Sequence, residues 1–583
     1  MAINILNGFG VPIILVLLLG CGSGSTNTPP VQAPPIQTEP VFTSGKIAAG
    51  ASFSCTIQNT LPVCWGRNNF GQVDPPTDFV DVVTIEAGFD HACALDDRGV
   101  VKCWGRNNDN LQSIVTGQID VPSSLGIVSQ IALGAFHSCA LDENGVQCWG
   151  DNEKGETDVP TGLSNVRLLA ANGRVTCVVD DNGVQCWGSN SSKQIEVPAG
   201  LASVSQLALG LRHVCALDDV GVTCWGDASS GQRNIPLDLT DVQQITAGNV
   251  HTCALTKTDV QCWGENFSGQ LDLPPGLADI TEVSSAFNHI CANSKTGPRC
   301  WGENTFGQTI SAGELGQINQ LELGIFDVCL VGDNRSRCFG NSPEIDKDLP
   351  SNLSSNNKIS LGIFHACSLD NGSVQCWGID QLGSLTVPST FGTVTNLAVF
   401  NQSNCLKDDS GLQCWGNIPS SLTQISQQAA DAQVIASGIS SACWSSDDFL
   451  ECAGDNTDVQ QIPSGANNLP NVRDIQVVFA HACALTDNPT NGGLSCWGAD
   501  PYGQITTIPN DISNINMLAV GGGHTCIVDD VGARCWGRNE DGESDIPSDL
   551  GQILKLGADF GETCAANDKI VRCWGSNPIK LVL

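Results

Sequence analysis

Fourteen pairs of cysteines punctuate this chain, and from Cys139 to Cys443 the first member of each pair recurs every 38 residues without a slip. The pairs are Cys55 with Cys64, Cys93 with Cys103, Cys139 with Cys148, Cys177 with Cys186, Cys215 with Cys224, Cys253 with Cys262, Cys291 with Cys300, Cys329 with Cys338, Cys367 with Cys376, Cys405 with Cys414, Cys443 with Cys452, Cys483 with Cys496, Cys526 with Cys535 and Cys564 with Cys573. Such a period marks a repeat architecture, in which a small unit cannot bury its apolar face alone and stacking supplies the core. It displaces the expectation from length, because 583 residues would otherwise suggest about four domains of roughly 150 residues each.

The unit that starts at Val242 reads as four short strands: Val242–Ala247, His251–Leu255, Val260–Trp263 and a brief one near Gln270–Leu273. Apolar and polar residues alternate, β-branched residues are enriched, and Gly, Asn and Pro punctuate the ends, which favours strands over helices. Four antiparallel strands in 38 residues describe a β-propeller blade. A parallel β-helix would need shorter coils, and helical repeats would need a 3.6-residue period that is not there. The expected fold class is all-β, with tandem β-propellers.

The repeated residues are Ala247-Gly248, His251, Cys253-Ala254-Leu255, Cys262-Trp263-Gly264, Asn266 and Gly269-Gln270. This pattern resembles the regulator of chromosome condensation (RCC1-like) repeat, over roughly residues 41–583. In style it is similar to the secreted bacterial branch typified by the β-lactamase inhibitory protein of type II, and to the extracellular repeats of some plant receptor kinases. The resemblance implies seven-bladed propellers, so fourteen repeats imply two, at 41–314 and 315–583. Six plus eight fits the count equally, because the spacing stays at 38 across repeats seven and eight. Repeat eight is atypical, with Asp327 where others hold His and Phe339 where others hold Trp, and the boundary is placed near residue 315.

Pairing Leu141 with Val146 around a four-residue tip puts Cys139 opposite Cys148. Opposed residues lie about 4.5–5.5 Å apart at Cα, within disulfide reach. Chain entropy gives roughly 2.5–3 kcal/mol for a ten-residue loop, less here because a hairpin is already local. Metal binding is the rival reading, since His251, Cys253 and Cys262 would share one face. All eight histidines stand in this slot, at 91, 137, 213, 251, 289, 365, 481 and 524. The other six repeats keep both cysteines while holding Phe53, Val175, Asp327, Ser403, Ser441 and Glu562. A zinc site should lose its ligands together, whereas a disulfide need not notice the His, so the pattern favours fourteen intrablade bridges. The histidines are then expected to hydrogen-bond between strands or blades.

Trp fills its slot in twelve repeats and is expected to pack between blades. The Asn and Gly-Gln that follow read as turn chemistry. The hairpin tips are acidic, at Asp96-Asp97, Asp142-Glu143, Asp180-Asp181, Asp218-Asp219, Asp408-Asp409 and Asp529-Asp530. They read as Asx-type turns, or as a face for basic partners or divalent cations; none has the EF-hand ligand pattern. Two insertions depart from the repeat, at 105–117 and 486–493. They make Asp109, Leu111, Ile114, Asn488, Asn491 and the nearby Tyr502 candidate binding-loop residues.

The remaining cysteine, Cys21, closes Leu18-Leu19-Gly20-Cys21 after an apolar run from Val11 to Leu19. The run is too short for a permanent span and suits a signal peptide, and its end resembles a bacterial lipobox. Residues 1–21 therefore read as a lipoprotein signal with Cys21 as the lipidated residue. Residues 22–40, rich in Ser, Thr, Gly and Pro, read as a tether. The expected location is the bacterial cell envelope, lipid-anchored at the outer membrane or cell surface. With 61 Asp and Glu against 26 Lys and Arg, the net charge of −35 argues against nucleic acid as a partner. No catalytic motif, metal site or cofactor is expected. The leading reading is a non-catalytic scaffold for a protein or glycan. The alternatives are a propeller enzyme with a carboxylate-based or metal-assisted channel site, and a guanine-nucleotide exchange activity implied by the resemblance alone, which export and acidity disfavour.

Overall fold

The computed structural model describes residues 47–583 except 109–114, 419–431, 463–468 and several shorter interruptions. The signal, Cys21, the tether and the insertion residues Asp109, Leu111, Ile114 and Asn488 therefore lie outside the described residues. The described chain is built from antiparallel three-stranded units, each carrying one cysteine pair, called here blades one to fourteen in chain order. In blade six the inner strand is Val242–Ala247, the middle strand His251–Thr256 and the outer strand Val260–Gly264. Ile245 pairs with Ala254, and Cys253 stands directly opposite Cys262.

The middle strand is buried along its whole length, both faces included. Its alternation of Ala254 with Cys253 and Leu255 reflects this, because the strand is sandwiched between neighbouring blades. Ala208, Cys215 and Leu217 of blade five pack on Ile245, Ala247, Ala254 and Trp263 of blade six in one apolar core. Each core thus belongs to a joint and not to a blade, as a repeat architecture requires.

The expected fourth strand near Gln270–Leu273 is a turn instead. Side chains take the backbone groups that a strand would have needed. Leu271 N–H donates to Asn266 Oδ1 (2.7 Å), Ser268 N–H to Gln270 Oε1 (2.9 Å), and the Gln270 carbonyl accepts the Trp301 indole of the next blade (3.0 Å). Gly269, at φ +73°, makes the bend that a β-carbon would strain.

The inner strand of blade one, Ile47–Ala49, packs on that of blade seven, Ile280–Ala286. There Ile47 N–H donates to Glu282 Oε2 (3.2 Å) and Ala49 N–H to Ser284 Oγ (3.1 Å). The inner strand of blade eight, Ile318–Leu323, packs on that of blade fourteen, Lys555–Ala558. Among the described residues a fourth strand forms at one place, Ile579–Val582. One edge pairs with blade fourteen's outer strand and the other with Gly66 and Arg67 of blade one. Asp74 grips this seam through Lys580 (2.8 Å) and Arg572 (3.1 Å), and Trp65, Ile310, Leu315, Phe339 and Leu581 share the core beneath it.

Candidate binding faces

Each cysteine pair joins the middle strand of a blade to its outer strand. The outer members are Cys64, Cys103, Cys148, Cys186, Cys224, Cys262 and Cys300 in blades one to seven. In blades eight to fourteen they are Cys338, Cys376, Cys414, Cys452, Cys496, Cys535 and Cys573. Every one stands directly opposite its middle-strand partner with Cα atoms 4.0–4.1 Å apart, and all fourteen pairs are bridged. The separation is shorter than the 4.5–5.5 Å expected of an opposed pair. The longer tips, between Cys93 and Cys103 and between Cys483 and Cys496, leave the register at the bridge unchanged. Disulfides in this number belong in an oxidising compartment. Among the described residues one ligand-type trio reaches metal-binding proximity, Glu562 with Cys564 and Cys573. Those two sulfurs are joined to each other, which leaves a single carboxylate and no thiolate for a metal.

The histidines work between blades. His137 Nε2 meets Thr176 Oγ1 of blade four at 2.8 Å, and His213 meets Thr252, His524 meets Thr563 and His365 meets Asn404 Oδ1 in the same way. His91 reaches Ser138 and His481 reaches Thr525, both at 3.1 Å. His289 of blade seven reaches Ser54 of blade one at 2.9 Å. The hydroxyl donates onward to a backbone carbonyl, as Ser138 does to Gln118 O (2.8 Å), so it accepts from the imidazole N–H. The same Gln118 carbonyl accepts the Trp149 indole N–H at 3.0 Å. Trp and His are thus two ends of one polar clip, repeated around the chain. Burial holds His91, His137 and His251 down to about 3 and His213, His289, His481 and His524 to about 4, which keeps them neutral.

The acidic tips are turn caps. Asp142 accepts from the N–H of Asn144 (2.7 Å) and Gly126 (2.8 Å) and from Gln147 Nε2 (2.9 Å). Burial alone would raise the Asp142 carboxyl, and these donors outweigh it and hold the group below the usual range. Asp180 and Asp218 repeat the arrangement. Their oxygens are spent on the loop, which is the Asx reading of these positions.

What remains open lies where inner strands turn into middle strands. Inner strands of blades one to seven surround a cavity of about 230 Å³, lined by residues such as Ala49, Ala87, Ala132, Ala170, Ala208 and Ala247. Small side chains keep it hollow. At one end Phe89 meets Phe287 edge-on at 5.3 Å and Phe136 at 5.8 Å, and Arg106 lies over the Phe136 and Phe70 rings.

The corresponding loops of blades eight to fourteen leave aromatic rings in solvent: Phe326 is 46% exposed, Phe479 49% and Phe560 51%. Phe479 and Phe560 meet edge-on at 5.9 Å. Tyr502, 47% exposed, lies on the same side, since a β-carbon on Gly523 would touch its ring at 2.9 Å. The sequence pattern singled out Tyr502 as the lone Tyr, and it missed the phenylalanines, which sit two or one positions before the His slot, where the residue type varies from repeat to repeat. Asn491 lies in a short 3-10 turn, Thr490–Gly493. Next to these aromatics in the chain stand the buried Asp327 and Asp559, and with them the half-buried Glu562, in the His slot of blade fourteen, and Glu322, on an inner strand. Burial pushes Glu322 up to about 7, with Gln320 opposing.

The strands, joints and clips define a disulfide-stapled β-propeller protein. Residues 82–110, 128–156 and 242–270 match the family model of the regulator of chromosome condensation (RCC1) repeat. These segments are RCC1-like repeats. No curated protein matches it. Similar solved structures include the CRINKLY WD40 ectodomain of the Arabidopsis thaliana receptor kinase ACR4, at 21% identity and TM-score 0.35 over 45% of this chain and 97% of that one. Human WBSCR16 is similar at 22% identity and TM-score 0.35 over 42% and 85%. Prp20p of Saccharomyces cerevisiae is similar at 17% identity and TM-score 0.26 over 57% and 82%.

Proposed function

We propose that this chain is an exported, lipid-anchored scaffold of two seven-bladed rings, blades one to seven and eight to fourteen, that binds a protein or glycan outside the cytoplasmic membrane without catalysis. The packing of blade one on seven and of blade eight on fourteen supports the division. The half-exposed rings of Phe479, Tyr502 and Phe560, with Phe326 exposed in the corresponding loop of blade eight, carry the binding reading. The chain has only 5% aromatic residues, and aromatic side chains are what binding surfaces concentrate. Seven of the eight recurring histidines are spent on interblade clips, and tip aspartates such as Asp142, Asp180 and Asp218 are spent on turns. A photo-crosslinking residue placed at 479, 502 or 560 should capture a partner from the envelope, and one at the exposed Leu237 should not. A F479A/F560A variant that keeps all binding would sink this reading.

A carboxylate-based enzyme is the second reading, favoured by Glu322, whose raised carboxyl stands on an inner strand. Here E322Q should abolish turnover while leaving any partner binding intact.

A further inference from the structure

Each joint between blades presents the slot residue of one blade to the residue after the slot in the next. Seven joints carry His against a hydroxyl or amide, and several others carry apolar or small pairs, such as Val175 against Val214 and Ser403 against Ala442. At the joint of blade fourteen with blade eight, Glu562 faces Val328, which can offer it nothing. Its Oε1 is buried without a hydrogen bond. Asp327, 2% exposed, has one oxygen on the Ser342 N–H (2.9 Å) and leaves Oδ2 unpartnered. Asp559, 9% exposed, lies close enough for its charge to couple to both.

Among the described residues no cation answers these three. The elements around them offer Glu322 on blade eight's inner strand and Glu344 on the helix Pro343–Lys347. Lys555 stands at the far end of blade fourteen's inner strand, opposite Ala566. Arg572 is turned to Asp74 and Asp549, and Arg538 is tied to Glu540, Asp541 and Glu543. His524 is neutral and bonded to Thr563.

We propose that this joint is a pH-operated latch on the second ring: Asp327, Asp559 and Glu562 hold it shut as neutral acids, and their ionisation forces blade eight from blade fourteen. The inference rests on the second ring closing between those blades, as proposed above. Like charges in a desolvated seam with no counterion repel strongly and are costly to create. Burial raises all three carboxyls, Asp327 to about 6, Asp559 to about 7 with Asp327 adding to it, and Glu562 to about 8 with Asp559 adding to it. The folded state therefore binds more protons than the unfolded one. Their contribution is complete below the ordinary carboxyl range and is lost as pH rises through about 6 to about 8.

The test is hydrogen exchange on the full, oxidised chain, corrected for the intrinsic pH dependence of exchange. From about pH 5 to about pH 9, opening at Ile318–Leu323 and Lys555–Ala558 should rise about tenfold or more, and opening at Ile47–Ala49 and Ile280–Ala286 should not. A D559N/E562Q variant should show a flat profile, and E562H with V328T should rebuild the clip found elsewhere. Strong protection of both strands across the whole range overturns the latch and leaves the ring standing. No protection of either strand, even in acid, overturns the ring closure and the latch with it. Should the variants fail to fold, infrared difference spectra of the unmodified protein decide: protonated-carboxyl bands must vanish between about pH 6 and about pH 9, and their absence in acid refutes the proposal.

Discussion

His251 shows what one clip is worth by lacking it. Ile290 stands where the other histidine joints place Ser, Thr or Asn, and both imidazole nitrogens are buried without a partner. The I290T substitution should supply the missing acceptor and stabilise the protein by about 1 kcal/mol, and T176V should strand His137 at a cost of about 1–3 kcal/mol. Chemical denaturation of the two variants checks both signs. This pairing was legible in the sequence at the level of the single residue, though not at the level of the pair. The slot and its eight histidines stand out because they recur within a repeat. The partner sits one residue past the slot in the next blade, and it varies with the presence of His: Ser138, Thr176, Thr252, Asn404, Thr525 and Thr563 after a His, but Ala92, Val214, Ala442 and Ala482 after Phe53, Val175, Ser403 and Ser441. Only a comparison across adjacent repeats exposes it. The rule does not choose the division of blades either, since Ser54 could serve His251 in a ring of six as well as His289 in a ring of seven.

The inner, middle and outer strands were legible as elements because alternation and the cysteine register specify them directly. The fourth strand was not, because its backbone groups are claimed by Asn266, Gln270 and the neighbouring Trp301, a competition that period alone cannot reveal. The one fourth strand that forms, Ile579–Val582, escapes it through a second edge to pair with. Leu581 on this strand is fully buried in the core shared by blades one, seven, eight and fourteen. L581A should therefore cost about 2–5 kcal/mol, read by thermal unfolding. Exchange should rise at Leu61–Arg67 and Ile570–Gly575 together, while a blade remote from the seam, such as blade four, should stay protected.

Across the whole molecule, acid weighs most on blades one to seven and base on blades eight and fourteen. The five histidines of blades two to seven have folded values of about 3 to 4, against about 6.5 when unfolded. The unfolded chain binds the extra protons, so this stabilisation is present above about pH 6.5 and drains away as pH falls toward 4. Blades twelve and thirteen share part of this loss through His481 and His524, but the raised carboxyls of blades eight and fourteen have the opposite slope and offset it. Limited proteolysis at about pH 4.5 should therefore cut first within blades one to seven, and cutting first within blades eight to fourteen would contradict the assignment. The strand Ile579–Val582 also sets the order of events in time. The first blade's outer edge, unlike its inner one, meets its partner only across a separation such as the 506 residues between Asp74 and Lys580. At about 5–20 residues per second of synthesis, that interval is roughly 25–100 s. Throughout it, Gly66 and Arg67 present a bare strand edge to whatever lies nearby, so a cell making this protein must shield the beginning of the molecule until the far strand arrives.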